Sequence, residues 1–131
     1  MNLTPWVPRV QSILRIVTAY LFMLHGSTKL LHIPHIARFD HVQILSLAGV
    51  AGVLELVGGA LLILGLLTRP VAFILSGEMA FAYFMAHASK GNALLPLTNG
   101  GDAAVLYCFI FLFFAIAGGG SWSLDKMVGR R

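Results

Sequence analysis

Long apolar runs separated by short polar breaks dominate the chain, and none of them alternates with period two. The first run extends from about Val10 to Leu31, the second from about Ile44 to Leu67, the third from about Pro70 to Ala88 and the fourth from about Asp102 to Ala117. About 20 apolar residues in a helix cross a bilayer core, and continuous rather than alternating runs argue against a β-barrel. The pattern predicts an all-α integral membrane protein, a four-helix transmembrane bundle forming one domain over residues 1–131.

The breaks carry residues suited to ending and starting helices. Pro5 and Pro8 precede the first run, with Trp6 where an interfacial anchor belongs. The His-rich loop "HIPHIARFDH" contains Pro34, which prevents a smooth helical continuation. Only "TRP" separates the second and third runs, which predicts a tight antiparallel hairpin with Pro70 in the first turn of the next helix. "SKGNALLPLTNGG" is longer and rich in turn formers, and Asp102 or the amide of Asn99 is placed to cap the fourth helix. "AGGGSWSLD" breaks that helix and leaves a short basic tail.

Composition strengthens the membrane reading. The 131 residues are 58% hydrophobic and only 11% charged, with a mean hydropathy of +0.86, whereas soluble domains use about a quarter charged residues. The lipid bilayer is thus the first expected partner. The formal charge of +4 does not indicate nucleic acid, because the basic residues sit at segment ends and form no stripe. Four spans place Arg9, Arg15, Arg69, Lys126, Arg130 and Arg131 on the side of both termini, and Lys29, Arg38 and Lys90 on the other. By the positive-inside rule both termini are expected to be cytoplasmic. The first run lacks an AxA-type cleavage site and reads as a retained helix. A single cysteine, Cys108, rules out a CxxC motif and an intramolecular disulfide.

With so few charges, each one inside a span is informative, since an ionisable group in hydrocarbon is kept only where it faces a partner or a wet cavity. On the first helix Arg15, Thr18, Phe22, His25 and Lys29 recur at steps of three and four, predicting one polar stripe. On the second, Glu55 lies near the midpoint, with Ala48, Gly52 and Gly59 on the same face, where small residues permit close approach by a neighbouring helix. A cation on the first helix is then the natural partner of Glu55. Glu78 falls near the middle of the third helix; His87, nine positions later, is out of phase with it, so either His87 belongs to the outer rim or the helix is distorted near its end. Two readings stand for Arg15 and Lys29: snorkelling to the interfaces, or a core ion pair. His25 reads equally as a satisfied hydrogen-bonding group or a proton carrier. His32, His35 and His41 lack a regular ligand spacing, so no metal is assigned.

Four successive blocks, "LRIVTAYLFMLHGSTKL", "ELVGGALLILGLLTRPVA", "GEMAFAYFMAH" and "NGGDAAVLYCFIFLFFAIAGGGSWSLD", resemble the signatures of the DoxX family of small bacterial inner-membrane proteins. The resemblance spans nearly the whole chain. It implies a four-helix transmembrane bundle in the bacterial inner membrane, and it places Arg15, His25, Lys29, Glu55, Arg69, Glu78 and His87 on the family's recurrent polar positions. The family takes its name from a subunit of a thiosulfate:quinone oxidoreductase, so the resemblance also implies association with membrane redox systems. It supplies no established catalytic residue.

Three functions follow as expectations. In a quinone-linked redox subunit, His25 or Lys29 would hydrogen-bond a quinone carbonyl and Glu55 or Glu78 would relay a proton, with electrons coming from a redox partner protein because no flavin, haem or iron–sulfur ligand set is visible. A proton-coupled carrier would use the same carboxylates and, with so few helices, would need a homo-oligomer. In a scaffold or assembly factor the polar groups would only set helix register.

Overall fold

The computed structural model describes residues 1–130; Arg131, counted above for orientation, lies outside them. All regular structure among the described residues is helical: α1 Val7–Leu30, α2 Leu47–Leu64, α3 Thr68–Ala82, α4 Pro96–Asn99, α5 Asp102–Ala117 and α6 Leu124–Met127. Three helical stretches are long and apolar enough to cross a membrane: Thr4–Leu30, Leu47–Leu64 and Thr68–Lys90. The fourth expected span forms the apolar helix α5, whose 16 residues rise about 24 Å at 1.5 Å each, short of a core about 30 Å thick.

Several boundaries shift from the expected ones for local reasons. α1 begins three residues early because Pro8, lacking an N–H, fits the first turn. α2 begins at Leu47 rather than Ile44 because Ser46 Oγ accepts from the Gly49 amide at 3.1 Å. It ends at Leu64 because Gly65 turns left-handed, at φ 68°. α3 begins at Thr68, two residues before Pro70, for a reason that lies in the C-terminal tail. Past Ala82 the third helix widens into a π-turn over Tyr83–His87, so the distortion expected near His87 is present.

The helices pair before they bundle. α1 packs along α2 and α3 along α5, and the pairs meet through α2 against α3 and a narrow α1–α5 contact. Phe22, Leu62, Leu75, Phe111 and Phe114 are fully buried between them. Phe22 joins α1 to α5, its ring centroid 4.8 Å from Phe111 and 5.3 Å from Tyr107. The chain ends α1-start, α2-end, α3-start and α5-end gather at one end of the bundle, with the tail folded over them: Ser121 N–H donates to Pro8 O and Asp125 N–H to Gly65 O.

Glycines decide how close α1 and α2 come. A Cβ on Gly26 would stand 2.6 Å from both Gly52 O and Leu56 N, and these are backbone atoms that no rotamer change can move. Gly26→Ala is therefore expected to cost about 1–3 kcal/mol of stability. Gly77, by contrast, has nothing within 4 Å of a built Cβ, and Gly77→Ala is expected to be neutral or stabilising by up to about 1 kcal/mol through helix propensity. Thermal unfolding of both variants in the same detergent checks this contrast, and equal effects would refute it.

Candidate functional site

Close approach of α1 and α2 brings Lys29 to Glu55. Lys29 Nζ donates to Oε1 at 2.7 Å and Oε2 at 2.8 Å of one carboxylate, with side-chain exposures of 15% and 4%. Gly52, one turn before Glu55, lets the Lys29 stem lie against α2. The ring of Phe39, in the loop above, lies 6.0 Å from the ammonium. Across the bundle on α3, Glu78 has both carboxyl oxygens buried and without a hydrogen-bond partner among the described residues. It lies within electrostatic reach of both Glu55 and Lys29. Three spans thus bring two acids and one base together, and only one acid is neutralised by direct contact.

Tyr107 of α5 completes this cluster, within electrostatic reach of Glu55. Along the chain its one signal is a phenol among the phenylalanines of the fourth apolar run. His25 stands edge-on to Tyr107, with ring centroids 6.0 Å apart and planes at 84°.

His25 corrects the expected stripe. Ser12, Arg15, Thr18, Phe22 and Gly26 are buried, while His25 is exposed. The buried face runs through Gly26 because that is where α2 comes closest, which turns His25 to the α1–α5 seam. His87 also lies apart from Glu78. It is half-buried in the π-turn, stacked on Tyr83 with planes 21° apart, and its Nδ1 lies 3.3 Å from Asn99 O. Asn99 ties the link to α3 by donating from Nδ2 to the Tyr83 hydroxyl at 3.0 Å. It also accepts the Gly101 amide at 2.9 Å, so Asn99 rather than Asp102 satisfies the chain entering α5. In the loop between α1 and α2, His35 pairs with Asp40 at 2.8 Å.

Arg15 neither snorkels nor meets a carboxylate. It is fully buried, and its guanidinium donates from Nε to Gly119 O at 2.8 Å, from Nη1 to Leu62 O and to Ile63 O at 2.8 Å, and from Nη2 to Trp122 O at 2.6 Å. The last carbonyls of a helix have no intrahelical donors and carry the negative dipole end, so a planar fork of five N–H groups suits them. The "GGGSW" stretch, expected only to break the fourth helix, supplies half of this cradle. Arg69 does the same for α5, donating to the carbonyls of Ala115 and Ile116.

Asp125 closes this end. Its Oδ1 accepts from the Leu67 amide and its Oδ2 from the Thr68 amide, both at 2.8 Å, which explains the early start of α3. Burial pushes the Asp125 carboxyl up, but the Thr68 and Leu67 amides, with Arg130 near, outweigh it and hold the group below the ordinary carboxylate value.

The chain is similar to known proteins along most of its length. Residues 10–88 match the DoxX family model. An uncharacterized protein of Haemophilus influenzae is 46% identical over 95% of both chains. An uncharacterized membrane protein of Mycobacterium tuberculosis is 30% identical over 90% of this chain and 80% of its own. No solved structure matches. A family model covering more than half the chain, together with these two relatives, identifies the protein as a membrane protein belonging to the DoxX family.

Proposed function

We propose that this chain is a proton-handling subunit of a quinone-linked redox system, spanning the bacterial inner membrane with α1, α2, α3 and α5 and holding both termini in the cytoplasm. The observation that carries the reading is Glu78: two buried carboxyl oxygens without a hydrogen-bond partner among the described residues, within electrostatic reach of the Lys29–Glu55 pair. Burying such a group costs stability without a hydrogen bond in return, which points to a functional role in the span, and a carboxyl can take up and give up a proton. Reduction of a quinone to a quinol takes two electrons and two protons. The partner protein supplies the electrons, and Glu78 with the Lys29–Glu55 pair supplies a route for the protons.

The α1–α5 seam suits the quinone. The rings of His25 and Tyr107 meet edge-on there, Phe22 packs against both Tyr107 and Phe111, and a lipid-soluble ring reaches the seam laterally from the bilayer. Lys29 is held by Glu55, so of the two donors expected for a quinone carbonyl, His25 is the one left free.

Glu78→Gln keeps the shape and removes the proton exchange. We expect quinone reduction by native membranes carrying the variant to fall about a hundredfold, while binding of a quinone analogue to the purified protein is retained. Purified protein that binds no analogue, from a host whose quinone pool is unchanged on deletion, refutes the proposal. Proton flux into quinone-free proteoliposomes that Glu78→Gln abolishes would instead identify a carrier.

A further inference from the structure

The end of the bundle that carries both termini holds a second polar feature, which the proton cluster does not use. A cleft of about 600 Å³ opens between the start of α3, the end of α5 and the tail. Its walls carry three cations, Arg69, Lys126 and Arg130, against one acid, Asp125. The acid is already spoken for, because each of its oxygens accepts a backbone amide. Arg130 lies within electrostatic reach of it, but none of the three cations makes a direct ion pair among the described residues, where the pairs are Lys29–Glu55 and His35–Asp40. The cleft therefore has a positive balance with no internal counter-charge in contact with it.

Two details make this more than a solvated basic surface. Arg69 is held at the rim by its bonds to the α5 carbonyls, which use Nη1 and leave Nε and Nη2 for something else. Fixing a guanidinium in advance removes much of the ordering cost of binding. Thr68, which lines the cleft, is 1% exposed, and its amide donates to Asp125 Oδ2 at 2.8 Å, which fixes the cleft wall next to Arg69. The volume falls within the range of small-molecule sites. A cleft at the ends of membrane helices, lined by a fixed arginine and two exposed cations, matches the chemistry of an anionic phosphate group.

We propose that the cleft between the α3 start, the α5 end and the tail binds a phosphate group, held by Arg69, Lys126 and Arg130. The phosphate has two sources, an anionic lipid headgroup or free phosphate in the aqueous phase.

The test uses the full chain in nanodiscs of zwitterionic lipid, with thermal unfolding as readout. One arm adds phosphatidylglycerol to the bilayer, and another adds inorganic phosphate against chloride at matched ionic strength. Stabilisation by the lipid alone assigns the site to a headgroup, and stabilisation by inorganic phosphate as well assigns it to the free anion. Lys126→Gln/Arg130→Gln, at two exposed positions, is expected to weaken the apparent affinity about 30-fold, the effect of two charges near a membrane surface. Arg9→Gln, which removes a charge at the same end but outside the cleft, is the control and should leave the affinity within about twofold. No stabilisation from either source overturns the proposal, as does an Arg9→Gln effect equal to that of Lys126→Gln alone.

Discussion

Arg15→Met will destabilise the bundle by about 4 kcal/mol, more than any substitution on its lipid-facing surface. Methionine fills much of the arginine's volume, so the loss is not one of packing. What disappears is the donor set shared by Leu62, Ile63, Gly119 and Trp122. Leu62 O keeps the Gly65 amide and Gly119 O the Ser12 hydroxyl, but Ile63 O and Trp122 O lose the arginine, and a buried carbonyl left without a donor costs about 1–3 kcal/mol before relaxation, part of which water entering from the cleft side offsets. Lysine at this position is expected to recover no more than half, since one ammonium cannot serve carbonyls arrayed around a planar fork. Denaturation in micelles, followed by tryptophan fluorescence in a Trp6→Phe background, measures the effect at Trp122 itself. A loss below about 1 kcal/mol would mean that Arg15 is not what fastens the tail to α1 and α2.

The second large effect concerns Lys29 and Glu55. Removing either partner alone, by Lys29→Met or Glu55→Leu, leaves a buried charge unpaired and is expected to cost about 3–5 kcal/mol. Removing both puts apolar groups of similar size against each other, and the double variant is expected to return to within about 1 kcal/mol of the native protein. The double-mutant cycle also separates structure from function. If the pair serves only to hold α1 against α2, the double variant keeps whatever activity the protein supports. If it is part of the proton route, that variant folds and quinone reduction stays low. Additive single effects, with no recovery in the double variant, would show that the 2.7 Å contact contributes little.

Much of the Lys29–Glu55–Glu78 cluster is visible along the chain. Glu55 and Glu78 lie too deep in their runs to reach water, and the Gly52–Glu55–Gly59 spacing tells that the carboxylate sits where a neighbour comes closest. His25 is different. Periodicity places it with Phe22 and Lys29, but a step of three or four residues leaves the facing direction uncertain by tens of degrees. The contact at Gly26 sets the rotation, because only there does the absence of a Cβ admit the backbone of α2. His87 shows a related limit: a π-turn adds a residue to one turn and resets the phase of everything after it.

By itself the sequence determines that the protein is helical and lives in a membrane, because apolar length and scarcity of charge are additive properties that need no knowledge of neighbours. It also determines which buried groups must find a partner, since the cost of burying charge is local. Which partner each one finds is decided by the tertiary structure. Lys29 meets a carboxylate, Arg15 meets four carbonyls, and Glu78 meets no hydrogen-bonding group among the described residues. These outcomes depend on helix rotation and on the return of the tail over the bundle end, both set by contacts between residues far apart in the chain. The cleft beneath that tail is likewise a product of the fold, since its cations come from the first turn of α3 and from the C-terminal tail, which only packing brings together.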